Sequence, residues 1–290
     1  MSSVSSRLIR RVLPAALVAA STAAVTALAV GRPPEASPTA AALRVCADPN
    51  NLPFSNRAGQ GFENALAELI ARELGRDVTY TWWPQRRGFI RYTLRAGRCD
   101  VVMGVPAGYE LTATTRPYYR SSYVFVTRRG RAPRLRSFDD PRLRRLRIGL
   151  HLIGDDGANV PPEQALGRRG IVGNVVGYSI YGDYSTPNPP ARLIEAVARG
   201  EIDVALAWGP LAGYFGPRQE VPLEIEPVSP DRDGPTLPFA YDIAMGVRRD
   251  DTRLLAELDA VIARRGPEID HLLRGFGVPL VNPTPRAEAR

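Results

Sequence analysis

The sequence predicts an α/β protein built as a two-lobed clamshell, each lobe a mostly parallel sheet flanked by helices. Three observations carry this. Apolar runs follow the order strand, helix, strand, helix, strand, and the order occurs twice. Several of the strand-like runs are short and continuously apolar, as parallel strands covered on both faces must be. One local pattern also recurs at identical spacing. LRAGRCDV at 94–101 and VARGEIDV at 197–204 each read as helix end, glycine cap, two residues, aspartate and buried strand.

The elements follow in chain order. Residues 43–47 form a β-like run. Residues 61–75 place Phe62, Leu66, Leu69, Ile70 and Leu74 at helical spacing, and Gly75 stops them. Residues 77–83 are β-branched and aromatic, hence a strand. Residues 86–96 read as a helix ended by Gly97, and 100–105 as a buried strand. The second half repeats this with a strand at 147–150, a helix at 162–169, a strand at 173–180, a helix at 190–199 and a strand at 202–207. The tail at 250–275 holds one long amphipathic helix, with Leu254, Leu255, Leu258, Val261 and Ile262 on one face, and then a shorter one. The lobes are expected at 43–118 plus 241–290 and at 119–240. Two hinge crossings join them, one at Tyr118 and Tyr119 and one at Pro238 and Tyr241.

Residues 1–42 read as a targeting segment and linker. Arg7, Arg10 and Arg11 precede an uncharged run at 12–30, and small residues at 27–29 and 40–42 offer cleavage sites. An uncleaved anchor is the alternative, but the run is only mildly apolar. The expectation is a cleaved signal peptide, a periplasmic mature chain and no stable membrane insertion. In an oxidising compartment the two cysteines, Cys46 and Cys99, read as one disulfide, with two buried free thiols as the alternative.

Composition excludes several chemistries. The chain has no lysine, so no Schiff-base or P-loop lysine is available. Two histidines 120 positions apart and two cysteines cannot make a four-ligand zinc site, and no metal site is expected. A net charge of +8 would ordinarily point to nucleic acid, but export argues against it. The arginine cluster Arg142, Arg144, Arg145 and Arg147 reads as a solvated face. Asp155 and Asp156 read first as turn chemistry, and second as a calcium or acid–base pair.

In open parallel sheets ligands sit beyond the carboxyl ends of the strands. In a clamshell those ends face each other across a cleft. The segments just after the strands carry Phe54, then Trp82, Trp83, Gln85, Arg86 and Arg87, then Pro106 and Tyr109 in the first half. In the second half they carry Asp156 and Asn159, then Tyr181, then Trp208 and Tyr214. These residues are the expected binding cleft. Rings with a few arginines are the composition of binding hot spots. No catalytic residue is assigned, and the chain reads as a non-enzyme. An enzyme on the same scaffold would need a poised acid or base, for which Glu110 and Asp156 are the candidates.

LRVCADPNNLPFS at 43–55, LRAGRCD at 94–100 and RPYY at 116–119 resemble the type 2 periplasmic substrate-binding proteins. One branch is resembled more closely, through YTWWPQRRGF at 80–89, GDDGAN at 154–159 with Pro161 and Pro162, YGDY at 181–184, PNPPAR at 187–192 and WGPLAGY at 208–214. That branch is the quinoprotein dehydrogenase-associated MxaJ/XoxJ family of methanol-oxidation clusters, and the likeness runs from about 43 to 280. The resemblance implies a periplasmic accessory protein that binds and assists a PQQ-dependent methanol or alcohol dehydrogenase. That enzyme's cytochrome c is a second candidate partner, and pyrroloquinoline quinone enters only through the enzyme. The alternative is the receptor of an ABC importer for a quinone or aromatic acid. Amino-acid-binding relatives carry a carboxylate-clamping arginine about nine residues before the Pro-Tyr-Tyr. Here that position is Gly108, which disfavours amino-acid transport.

Overall fold

The computed structural model describes residues 41–130, 134–152, 160–179 and 184–281. The expected signal and linker at 1–42 fall almost wholly outside these residues, as do Asp156, Asn159 and Tyr181 of the expected cleft.

In the first lobe β1 (Leu43–Ala47) leads through two short strands, β2 (Asn50–Asn51) and β3 (Ser55–Asn56), into α1 (Phe62–Leu74). Then come β4 (Val78–Trp82), α2 (Phe89–Tyr92), β5 (Val101–Pro106) and β6 (Ala113–Thr114). β1 lies between β4 and β5, parallel to both. Its apolar side chains and the Phe62, Leu66 and Ile70 face of α1 build one core. α1 ends where Gly75 turns left-handed at φ 64°. Cys46 in β1 and Cys99 just before β5 form a disulfide with Cα atoms 5.4 Å apart, so it ties neighbouring strands.

The helix expected at 86–96 is a correction. Only α2, four residues long, is helical there. Gly88 enters at φ 88°, which breaks the turn before Phe89, and Thr93 leaves the helical region.

β7 (Tyr119–Arg128) then crosses into the second lobe. That lobe contains β8 (Ile148–Leu152), α3 (Pro161–Arg168), β9 (Val175–Ser179), α4 (Arg192–Arg199), β10 (Val204–Trp208), α5 (Gly209–Phe215) and β11 (Leu223–Pro227). β8 lies between β9 and β10, parallel to both, which mirrors the first lobe. A short hairpin, β12 (Arg232–Asp233) with β13 (Leu237–Pro238), precedes β14 (Ala240–Val247), which returns to the first lobe.

β7 and β14 join the two lobes. Residues 119–122 of β7 pair antiparallel with residues 240–243 of β14, Tyr119 opposite Ile243 and Ser122 opposite Ala240. Beyond that shared stretch β7 pairs with β10 and β11, while β14 pairs with β5 and β6. The sheet order β4-β1-β5-β14-β7-β10-β8-β9 therefore runs through both lobes.

α6 (Thr252–Gly275) is one continuous helix, not the expected long and short pair. Pro267 removes one backbone donor, yet Ile269 and Leu273 stay buried beyond it, as Leu258 and Val261 are before it. Ion pairs Arg76–Glu257 at 2.7 Å and Arg265–Glu73 at 2.6 Å hold it along α1.

Candidate functional site

A cavity of about 400 Å³ lies between the lobes, at the carboxyl ends of the parallel strands. The first lobe contributes Asn51 and Phe54 after β1, Glu63 from α1, Gln85 after β4, and Gly104, Val105 and Pro106 from the end of β5. The second contributes His151 from β8, Val160 and Pro161 at the start of α3, Leu206 and Trp208 from β10, and Leu211 from α5. The crossings supply Tyr119, Tyr123, Tyr241 and Ile243.

Phe54, Tyr119, Tyr123, Trp208 and Tyr241 give it an aromatic share. Trp208 meets Tyr123 edge to face at 5.3 Å and Tyr241 at 6.0 Å. Tyr241 donates to the Pro238 carbonyl at 3.0 Å, which fixes its ring at the second crossing. Tyr118 lies behind the wall, donating to the Met103 carbonyl at 2.8 Å. One edge of the cleft is latched. Asn50 Nδ2 donates to the Thr186 carbonyl at 2.9 Å, the Asn188 N–H donates to Asn50 Oδ1 at 3.2 Å, and Tyr184 OH donates to Asp48 Oδ2 at 3.3 Å.

Two acids mark the first-lobe side. Asp48 accepts from the Gln85 N–H at 2.7 Å and the Asn50 N–H at 2.8 Å. Burial raises its pKa, and these bonds with that from Tyr184 oppose the rise. Glu63 has no such bonds. It is 8% exposed, and no side-chain hydrogen bond reaches its carboxylate among the described residues. Burial pushes it up to about 8, and the charge of Asp48 adds to the push. Its carboxylate oxygen lies over Gly104, where any Cβ would collide with it. Opposite, His151 is buried and held down at about 4, so it is neutral at pH 7. Its Nε2 lies 3.3 Å from the Pro190 carbonyl, which places the ring proton there.

Of the expected cleft residues, Phe54, Gln85, Pro106 and Trp208 line this cavity, joined by Tyr119 and Tyr241 of the crossings. Others lie elsewhere. Trp82 stacks on Tyr80 at 4.6 Å, with the Arg57 guanidinium 5.7 Å from its ring centre. Trp83 and Tyr109 pack on the cluster around the disulfide, and Trp83 meets Tyr92 at 5.8 Å. The period of two explains this: adjacent residues at the end of β4 point to opposite faces, and neither face is the cleft. Arg86 and Arg87 are exposed and outside the lining. Tyr214 stacks on Phe276 at 6.1 Å, joining the second lobe to the end of α6 instead of facing the cavity. Asn51 and His151 lie in the strand-end segments expected at the cleft, and Tyr123 lies at the expected first crossing, though none was singled out; Glu63 is the lining acid that sequence reasoning missed.

The sequence matches the bacterial extracellular solute-binding proteins, family 3, over residues 43–268. The chain belongs to that family. Within it, the chain is 35% identical to Protein MoxJ of Methylorubrum extorquens over 92% of this chain and 95% of the relative. It is 29% identical to Protein MoxJ of Paracoccus denitrificans over 89% and 95%. Among solved structures it resembles the periplasmic binding protein XoxJ from Methylobacterium extorquens AM1, with 34% identity and a TM-score of 0.68, over 83% of this chain and all of that one. MxaJ from Methlophaga aminisulfidivorans MPT gives 27% and 0.69, over 82% of this chain and all of that one. The two-lobed type 2 binding-protein fold is thereby established. An ancestral cationic amino acid binding protein, 21% identical with a TM-score of 0.62 over 81% of this chain and 95% of that one, shares the fold alone.

Proposed function

We propose that this chain is a periplasmic, non-catalytic accessory protein that binds a PQQ-dependent methanol or alcohol dehydrogenase and assists its activation or maturation. The observation that carries the reading is the likeness to MoxJ over 92% of the chain and to XoxJ and MxaJ over 83% and 82% of it. The cavity supports it by what it lacks: no arginine lines it among the described residues, so a free amino acid's carboxylate has no clamp. The same lack weighs against pyrroloquinoline quinone, whose three carboxylates would share the cavity with Glu63. The quinone would stay with the partner enzyme. The partner would engage the cleft mouth, with Trp208 and Tyr241 as the inner anchors. Cleft opening about the two crossings would be required, because 400 Å³ holds a small molecule and not a protein segment.

The test is maturation of the dehydrogenase from the same source with and without this chain. The reading predicts a larger active fraction with wild-type chain and a reduced gain with Trp208→Ala. Equal active fractions with and without the chain would sink it. The cavity itself favours a second reading, the importer receptor for a small ligand. Saturable binding of one small molecule, without any effect on the dehydrogenase, would select it.

A further inference from the structure

Among the described residues, every feature of the cavity that bears on charge has one sign. Glu63 places an unpartnered, buried carboxyl in it. Asp48 stands close enough for its charge to disfavour ionisation of Glu63. Among the described residues, the other titratable groups facing Glu63 or the cavity are Tyr80, Tyr118, Tyr119, Tyr123, Tyr241 and His151, and none is cationic at neutral pH. Trp208 and Tyr241 line it with aromatic rings, the side-chain type that attracts organic cations.

A buried carboxyl without a donor is costly when ionised. A side chain kept only for packing would be better served by glutamine or leucine. What this site is missing is one positive charge.

We propose that the interlobe cavity binds one small organic cation, an ammonium group on a partly apolar body, with the Glu63 carboxylate as its counter-ion and Trp208 and Tyr241 against its body. The inference goes beyond the accessory reading and does not depend on it. Amine binding is read on this chain alone, and dehydrogenase binding on the pair, so either can fail while the other stands.

Binding converts the Glu63 carboxylic acid to carboxylate. The ammonium keeps its protons, and the proton from Glu63 leaves to the buffer. At pH 7 up to one proton is therefore released per cation bound.

The experiment is calorimetric titration of the mature chain with n-pentylammonium, benzylammonium and choline, beside the neutral 1-pentanol and benzyl alcohol and the anionic hexanoate and phenylacetate. Two buffers of different ionisation enthalpy are used. The expected result is saturable binding of at least one cation, about tenfold or more tighter than its neutral counterpart, no binding of the anions, and an enthalpy that changes with buffer. Glu63→Gln should remove the cation preference and the buffer dependence. A melting temperature equal to or above wild type would show that this variant is folded. If no cation is preferred over its neutral counterpart, or if folded Glu63→Gln keeps the preference, the proposal is wrong.

Discussion

Glu63 and His151 give the cleft a pH signature with opposite signs. Glu63 sits near 8 in the folded chain, above the ordinary carboxyl value of 4.5. Between those values the unfolded chain has lost a proton that the folded chain keeps. Stability therefore falls as pH rises from 4.5 to 8 and levels beyond, by at most a few kcal/mol at about 1.4 kcal/mol per pKa unit. His151 sits near 4, below the ordinary 6.5. Between those values the unfolded chain binds the extra proton, so stability rises with pH from 4 to 6.5. The two trends oppose each other below 6.5, and only the Glu63 decline remains from 6.5 to 8. Urea unfolding across pH 4–9 should show that decline, and Glu63→Gln should lose it while keeping the rise below 6.5. A decline that survives in the variant would assign it to another group. Glu63 was legible in principle: it shares the helical face of Leu66, Ala67 and Ile70, and an acid in an apolar stripe next to a helix start asks for an explanation. His151 begins a strand-end segment expected at the cleft, but its contact with the Pro190 carbonyl is long-range and could not be read locally.

At the scale of elements, the repeated strand and helix order could be read because apolar periodicity is local. β7, β11 and β14 were not read as strands. Their pairing is antiparallel and long-range, and β7 mixes Tyr, Ser and Arg at the crossing with an apolar run beyond it. The continuity of α6 past Pro267 was also hidden, since it rests on the buried contacts of Ile269 and Leu273. The disulfide closes a sequence separation of 53 residues, so Cys46→Ser with Cys99→Ser should cost about 4 kcal/mol as an upper figure on the loop-entropy account. Denaturant unfolding of the double variant checks it, and an unchanged midpoint would refute it. Gly213 of α5 touches the backbone of Gly277 just after α6, and a Cβ on Gly213 would collide with the Gly277 carbonyl oxygen. Gly213→Ala should therefore destabilise the chain by roughly 1–3 kcal/mol through backbone displacement. A melting temperature unchanged from wild type would show that this contact yields freely.

At the scale of the molecule, the two lobes meet through β7 and β14, the Tyr214–Phe276 stack and the latch of Asn50 with residues 186–188. The first two lie on continuous chain or a close-packed contact. Beside the latch, Leu52 of the first lobe is buried in the core cluster of the second, so opening at this edge must expose apolar surface as well as break polar bonds. The fold and the position of the cleft followed from the strand-end rule. Which rings face inward did not, because Trp82, Trp83 and Tyr214 all stand at strand or helix ends whose facing depends on pleat and on tertiary partners. The central claim is that this cleft serves a protein partner. Native mass spectrometry of the mature chain mixed with the quinoprotein dehydrogenase from the same source tests it most directly. The account predicts a complex with the mass of both proteins, weakened by Trp208→Ala. Two folded proteins that remain separate at micromolar concentration, with the dehydrogenase in either its quinone-loaded or its quinone-free form, would contradict it.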